Sequence, residues 1–166
     1  QTPGVLAEIE QVERALIIAA IEVQDQGNLG TIIRSADAVG ATAVLVSRGT
    51  VDPYNIKVVR ASMGSLFNLP IIECQDIITD LGRLKDNGMK LISTDAKAEQ
   101  NYFAADFKPS TVILLGNEAA GIPQEIMGIC DQTVKIPMPG RAESLNAAMA
   151  ATLLLYEVLR QRNYGT

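Results

Sequence analysis

Short runs of consecutive apolar residues recur along the chain, and longer stretches with apolar residues three or four positions apart separate them. Continuous apolar runs are typical of strands that are buried on both faces of a parallel sheet. A spacing of three or four residues is typical of an amphipathic helix. The runs predict strands at residues 6–9, 15–20, 43–46, 69–73, 90–94, 111–116 and 133–137.

The stretches between these runs predict the helices. Helical spacing covers residues 29–39, 55–63, 77–84 and 144–162, and Pro123 is placed to open one more short helix. Strands that alternate with helices indicate an α/β fold with a mostly parallel sheet flanked by helices. Nothing in the sequence marks an internal linker, so residues 1–166 are expected to form a single domain.

In open α/β sheets, ligands bind beyond the carboxyl ends of the strands, so the loops that follow strands are the informative ones. The first such loop leads into the helix predicted to begin at Leu29. Gly27 and Gly30 would let the backbone approach a ligand closely, and the forked cation of Arg34 suits a phosphate. The alternative is a tight turn in which Asn28 caps the helix and Arg34 forms a surface ion pair.

The second loop, residues 114–123, follows the strongest strand pattern. Its glycine spacing imitates the start of a phosphate-binding loop, but Ile122 and Pro123 stand where lysine and a hydroxyl residue would be needed. An NTPase is therefore rejected. Asn117 and Glu118 are well placed to contact hydroxyl or amide groups, and the alternative is that they cap the next helix.

The third loop, residues 136–146, is stiffened by two prolines and leads into the last predicted helix. Met138 could cover the flat face of a base, or it could fill a gap in the core. Ser144 is a candidate N-cap, and Arg141 beside Glu143 could be a solvated pair.

Composition narrows the chemistry. The 166 residues include no histidine, which excludes Ser-His-Asp and Cys-His nucleophile systems and histidine metal sites. The net charge of −5 argues against nucleic-acid binding through bulk charge. Cys74 and Cys130 are expected to be buried, reduced thiols in a cytoplasmic protein. No apolar stretch is long enough to span a bilayer, so no membrane is expected as a partner. The polar residues of the three loops include no metal-binding cluster, so no metal is expected either.

Taken together, the three loops resemble the signature motifs of the SpoU-type RNA 2′-O-ribose methyltransferases, within the SPOUT superfamily. The resemblance rests on residues 28–34, on Gly116-Asn117-Glu118, and on residues 136–138 running into Ser144-Leu145-Asn146. Residues 60–64 and 69–70 are similar to the same family. The likeness extends over residues 15–162 and matches the catalytic domain. Many members add a small N-terminal RNA-binding domain, which is expected to be absent from these 166 residues.

The resemblance implies a SPOUT fold whose C-terminal part, about residues 112–155, forms a deep trefoil knot. It further implies an S-adenosylmethionine pocket in that knot and a homodimer built on the last helix. The cofactor contacts implied by the matching motif positions, with two expected neighbours, are Thr94, Gly116, Ile136, Met138 and Leu145.

The implied reaction is methyl transfer to a ribose 2′-hydroxyl of RNA, with rRNA as the expected substrate. The alternatives are a tRNA ribose methyltransferase and a non-catalytic RNA- or cofactor-binding module. A guanidinium is a poor base, so Arg34 is expected to anchor a phosphate, although the role of base stays open. The residues implied in catalysis are Asn28, Arg34, Glu118, Ser144 and Asn146, and the expected RNA-binding face is formed by Arg34, Arg48, Lys57, Arg60 and Arg141.

Overall fold

The structure, a computed structural model, describes residues 2–165, with side chains from residue 4 onward. Its centre is a seven-stranded sheet in which every pair of neighbouring strands is parallel. The strand order is β3-β2-β1-β6-β4-β7-β5. The strands are β1 (Leu16–Ala20), β2 (Ala43–Ser47), β3 (Ile71–Cys74), β4 (Lys90–Thr94), β5 (Gln100–Asn101), β6 (Thr111–Leu115) and β7 (Gln132–Lys135).

Helices cover both faces of this sheet. They are α1 (Thr2–Ile9), α2 (Gln26–Ala38), α3 (Ile56–Ala61), α4 (Ile77–Asp86), α5 (Gln124–Met127) and α6 (Ala147–Leu159). One face packs against α2, α3 and α6, and the other packs against α1, α4 and α5. The predicted α/β fold with a mostly parallel sheet is therefore confirmed.

The strands with the longest apolar runs lie at the middle of the sheet. Every residue of β1 and β6 is buried, and the two strands pair in register from Leu16–Thr111 to Ala20–Leu115. A strand between two helical layers has no polar face, which is why these runs do not alternate. Because all strands are parallel, the loops after β1, β4, β6 and β7 open at the same edge of the sheet.

The first predicted strand is wrong, because residues 6–9 belong to α1. Leu6 and Ile9 are both buried, and their spacing of three suits one helix face as well as it suits a short strand. The short edge strand β5 was not predicted, because its two polar residues give no apolar pattern.

Two helix starts also differ from the sequence pattern. Helix α2 begins at Gln26, with Asp25 as its N-cap, so Asn28 is not the cap. Helix α6 begins at Ala147 with Asn146 as its N-cap, so Ser144 is neither its cap nor its first turn. The helix ends at Leu159, and residues Arg160–Tyr164 form a π-helical turn.

Candidate functional site

A cavity of about 720 Å³ opens at the carboxyl edge of the sheet. Its volume is in the range of sites that bind small ligands and cofactors. It lies beyond the ends of β4, β6 and β7, and residues 94–97, 115–127 and 134–150 contribute to its wall, together with Asn28. This is the edge at which the post-strand loops were expected to meet.

The loop after β6 is tightly closed on itself. A Cβ atom on Gly116 would lie 2.3 Å from the carbonyl carbon of Gly121, so no other residue fits at position 116 without movement of the loop. Asn117 and Gly121 exchange two backbone hydrogen bonds, of 3.1 and 3.0 Å. The Asn117 Oδ1 atom accepts two more from the N–H groups of Ala119 and Ala120, both at 2.9 Å. These bonds tie the two ends of the loop together and stabilise this wall of the cavity.

Glu118 joins this loop to the loop that precedes α2. Its carboxylate accepts hydrogen bonds from the N–H groups of Gln24 (3.3 Å) and Asp25 (3.1 Å) and from Asn28 Nδ2 (3.3 Å). Burial raises the pKa of Glu118, but its hydrogen bonds with backbone N–H groups and with Asn28 outweigh this effect, so its pKa lies below the usual value. The side chain is therefore a stable anion that orients its neighbours and a weak proton acceptor.

Asn28 and Asn146 connect the first and third loops. Asn146 Nδ2 donates to Asn28 Oδ1 at 2.8 Å, while Asn146 Oδ1 accepts from the N–H groups of Ala148 (2.9 Å) and Met149 (3.2 Å). Asn146 is thus both the cap of α6 and a partner of Asn28. Glu118, Asn28 and Asn146 form a chain of side chains across the three loops, which we call the Glu118–Asn28–Asn146 chain.

Arg34 lies further along α2, outside the cavity wall. Its side chain is exposed and has no hydrogen-bond or ion-pair partner among residues 2–165, so the surface ion pair weighed for it does not form within that range. The next residue, Ser35, shares a hydrogen bond of 2.6 Å with Thr152 on α6. Arg34 is therefore free to meet a group from outside the chain.

The structure brings together most of the residues singled out in the sequence. All five of the implied cofactor contacts line the cavity, as do four of the five implied catalytic residues, Arg34 being the exception. Met138 lies in the cavity wall, half-buried. The cavity is lined by Asn28, Thr94, Gly116, Glu118, Ile136, Met138, Ser144, Leu145 and Asn146 among these predicted residues.

The expected RNA-binding cations are arranged differently. Arg34, Arg48, Lys57, Arg60 and Arg141 are all exposed, and none of them lines the cavity. Their gathering on one face around a bound cofactor stays a prediction.

Several residues of the cavity wall were not predicted from the sequence. Asp95 and Lys97 follow β4 directly, and Lys135 ends β7, so the rule that ligands lie beyond strand ends would have found them. Gln124 and Met127 lie on α5, after the second loop, and no local pattern distinguishes them.

The described part of the chain contains neither a metal-binding cluster nor a membrane-spanning helix. Within residues 2–165, no group of three or more histidine, cysteine, aspartate or glutamate side chains is placed to hold a metal ion. In the same range, no helix combines the length and the apolar character that crossing a bilayer requires.

Comparison with known proteins identifies the family. The model of the SpoU rRNA Methylase family matches residues 15–156. The 23S rRNA (uridine(2479)-2′-O)-methyltransferase of Streptomyces viridochromogenes is 45% identical over 145 residues, which are 84% of this chain and 50% of the relative. The 23S rRNA (guanosine(2553)-2′-O)-methyltransferase RlmP of Bacillus subtilis (strain 168) is 37% identical over 145 residues, or 87% of this chain and 57% of the relative.

The folds agree as well. The crystal structure of the SpoU methyltransferase AviRb from Streptomyces viridochromogenes, in complex with AdoMet, superposes with a TM-score of 0.89 at 40% identity. The match covers 97% of this chain and 63% of that one. The chain thus spans between half and three fifths of the length of the two curated relatives named above. With the motif loops meeting at one cavity and the family model covering most of the sequence, the chain belongs to the SpoU rRNA Methylase family.

Proposed function

We propose that this protein transfers a methyl group from S-adenosylmethionine to a ribose 2′-hydroxyl of RNA, and that its substrate is rRNA. The observation that carries the proposal is the Glu118–Asn28–Asn146 chain, which holds the three motif loops together at the mouth of one cavity. The 2′-O-methylation of 23S rRNA by the two relatives supports the choice of reaction and of substrate.

The cavity wall suits S-adenosylmethionine. Apolar residues such as Ile122, Val134 and Ile136 can pack against an adenine ring and a ribose. Carboxylates and ammonium groups both line the wall, which suits a ligand that carries a sulfonium, an ammonium and a carboxylate; these charged residues are Asp95, Lys97, Glu118 and Lys135. The bound cofactor would supply an activated methyl group on sulfur.

The protein's own part in the reaction is alignment and help with the proton. Asn28 and Asn146 would hold the attacking ribose close to the methyl group, since both lie at the cavity wall with amide groups already oriented by Glu118. Arg34 would bind a phosphate next to the target ribose, because a guanidinium forms two parallel hydrogen bonds with phosphate oxygens. The lowered pKa of Glu118 favours a role in positioning over one as general base.

We also infer that the chain is one catalytic domain with a trefoil knot in residues 112–155. Two buried apolar clusters, one on each face, pack against the same sheet, which supports one domain. Strand β7 pairs with β4, on the side away from β6, yet the following segment returns to the cavity beside the loop after β6. Such a return suits passage through that loop. A crystal structure in which the backbone of residues 112–155 does not pass through any loop of the chain would contradict the knot.

We infer in addition that the protein is a homodimer that pairs through α6. Four large apolar residues, one just before α6 and three on it, are between 38% and 63% exposed. They are Leu145, Met149, Leu153 and Tyr156. Met149, Leu153 and Tyr156 are spaced so that they share one helix face. Leu145 also lines the cavity, so a partner on this face would lie beside the site.

Calorimetry with S-adenosylmethionine and transfer of a labelled methyl group to rRNA and tRNA, in separate reactions, test the proposed function. We expect the cofactor to bind and rRNA to be labelled at a ribose. Labelling of tRNA alone would overturn the choice of substrate. Cofactor binding without transfer to either RNA would indicate the non-catalytic module, and no cofactor binding would contradict the proposal altogether.

The variant Arg34→Ala tests the role of the free cation. It should lose most methyl transfer while keeping its affinity for S-adenosylmethionine, because Arg34 lies outside the cavity wall. Arg34→Lys keeps the positive charge but loses the planar guanidinium with its paired N–H donors, so it should recover methyl transfer only in part. Full activity of Arg34→Ala would exclude a role for this side chain in the reaction.

A further inference from the structure

We propose that the surface around α3 binds single-stranded RNA by stacking and phosphate contacts, which guides the substrate to the cavity. This surface consists of Tyr54, Ile56, Lys57, Arg60, Met63 and Phe67, and we call it the α3 surface. The inference rests on the proposed function and adds to it the form in which RNA is bound.

The α3 surface exposes apolar side chains that a monomeric domain would normally bury. Phe67 is 78% exposed, Met63 is 70% exposed, and Tyr54 and Ile56 are 56% and 60% exposed. Met63 has a positive φ of 50°, followed by Gly64 at 89°. Backbone strain at a residue other than glycine persists only where the surrounding structure enforces it. This turn lies between α3 and the short 3-10 helix that carries Phe67.

The charge of this region differs from that of the whole chain. Between Tyr54 and Phe67 the sequence contains Lys57 and Arg60 and no acidic residue, whereas the chain as a whole carries a net charge of −5. Carboxylates bond near the two ends of this segment, where Asp52 accepts from the Tyr54 N–H and Asp37 accepts from Asn68 Nδ2, both at 2.9 Å. Both cations are exposed and have no hydrogen-bonding side-chain partner among residues 2–165. Exposed rings beside unpaired cations are the elements with which proteins bind single-stranded RNA.

Helix α3 packs against the part of α2 that lies between Asn28 and Arg34. A Cβ atom on Gly30 would be 2.4 Å from the Cβ atom of Ala61 and 2.7 Å from the carbonyl oxygen of Val58, so α2 and α3 touch at Gly30. Gly30 follows Asn28 by two positions and precedes Arg34 by about one helical turn. A strand of RNA that contacts Arg34 could therefore continue onto Lys57 and Arg60.

The charges favour RNA over a second copy of the chain. A symmetric contact buries the same patch on both subunits, so Lys57 and Arg60 would need carboxylate partners inside the interface, and the segment that carries them supplies none. RNA, in contrast, supplies the anions that these side chains lack.

Fluorescence anisotropy of a labelled single-stranded RNA, and of the same sequence as a duplex, measures the effect of substitutions in the full chain. Phe67→Ala should bind the single strand about tenfold more weakly, with an unchanged salt dependence, because a stacked base is lost. It should bind the duplex, whose bases are already stacked, as the wild type does. Lys57→Ala combined with Arg60→Ala should flatten the dependence of log affinity on log salt by about 1.4, for two lost phosphate contacts.

Matched controls lie at the opposite edge of the sheet. Arg162 bonds to the carbonyl oxygens of Phe107 and Pro109, just before β6, so Tyr164 and Lys108 are far from the cavity. Tyr164 is 75% exposed, and Lys108 is exposed as well. Tyr164→Ala and Lys108→Ala should leave both the affinity and its salt dependence unchanged.

Wild-type affinity in Phe67→Ala, or an equal loss in Tyr164→Ala, would overturn the proposal. The proposal would also be overturned if Phe67→Ala kept its RNA affinity but shifted from dimer to monomer in sedimentation, which would make the α3 surface a contact between copies.

Methyl transfer separates this inference from the proposed function. RNA binding that depends on Phe67 without methyl transfer by the wild type would support the α3 surface and refute the function. Methyl transfer by the wild type, with the same KM for RNA in Phe67→Ala, would support the function and refute the α3 surface.

Discussion

Two glycines of the motif segments, Gly30 in α2 and Gly116 after β6, allow close contact between parts of the chain. In the sequence, Gly30 was expected to let the backbone approach a ligand, but its missing side chain makes room for Ala61 and Val58 of α3. Gly116 similarly admits the backbone of Gly121. A glycine can admit either a ligand or another part of the protein close to the backbone, and the sequence alone does not say which.

The variant Gly116→Ala should therefore damage both stability and cofactor binding. The added methyl group would collide with backbone, which cannot rotate away as a side chain can, and such overpacking costs about 1–3 kcal/mol. Urea unfolding and calorimetry with S-adenosylmethionine measure the two effects. Gly140→Ala is the matched control, since a Cβ atom there meets nothing within 4 Å. Wild-type cofactor affinity in Gly116→Ala would show that the tight closure of this loop is not needed.

Glu157 on α6 gives a prediction for acid stability. Its side chain is 9% exposed and accepts hydrogen bonds from Arg160 at 2.8 and 2.9 Å. The hydrogen bonds from Arg160, opposed by burial and helped by Gln161, lower its pKa. A carboxyl whose pKa is lower in the folded state stabilises fully above the unfolded value and loses this effect as pH falls through the folded value.

Glu157→Gln should then be less stable than the wild type at neutral pH, by about 1 kcal/mol. This difference should shrink as the pH falls below the usual glutamate range, because protonation removes the charge from the wild type. Urea unfolding midpoints at a series of pH values measure it. Glu125→Gln, on an exposed glutamate of α5, is the control and should show no such convergence. A difference that is constant across pH would contradict the assignment.

At the scale of elements, the apolar pattern predicted which segments fold, and caps decided where they begin. The pattern placed the start of α2 at Leu29, but Asp25 accepts the Asn28 N–H at 2.8 Å and starts the helix at Gln26. Asn28 is thereby released to bond with Glu118 and Asn146. Sequence reasoning could not choose between Asp25 and Asn28, because both are good caps and the decision depends on a contact with a distant residue.

Asn146 combines a cap and a tertiary contact, and two substitutions separate them. Asn146→Ala loses the cap of α6, at a cost of about 1 kcal/mol, together with the bond to Asn28. Asn146→Asp keeps an oxygen for the N–H groups of Ala148 and Met149 but cannot donate to Asn28 Oδ1. We expect Asn146→Asp to recover stability in urea unfolding without recovering methyl transfer. Full transfer by Asn146→Asp would show that the Asn28 contact is dispensable.

At the scale of the molecule, the sequence could predict the sheet and the edge that carries the site. Apolar runs that alternate with amphipathic stretches favour a parallel sheet, and parallel strands open their loops at one edge. The partners across that edge could not be derived, since Glu118 and Asn28 are far apart in the sequence and no local pattern pairs them. Only the resemblance to a family predicts from the sequence that these residues share one site.

A single charged substitution on the exposed face of α6 tests the proposed dimer. Leu153 is 41% exposed, so Leu153→Glu should leave the fold of one subunit intact, and glutamate favours helix. In a dimer the carboxylate would be buried without a partner, which costs several kcal/mol and should weaken association more than a hundredfold. Sedimentation should then show monomer, and methyl transfer should fall with it if the site draws on both subunits. Val12→Glu, on a side chain 44% exposed after α1, is the matched control and should stay dimeric. A wild-type monomer, or a Leu153→Glu dimer with full activity, would remove α6 as the interface.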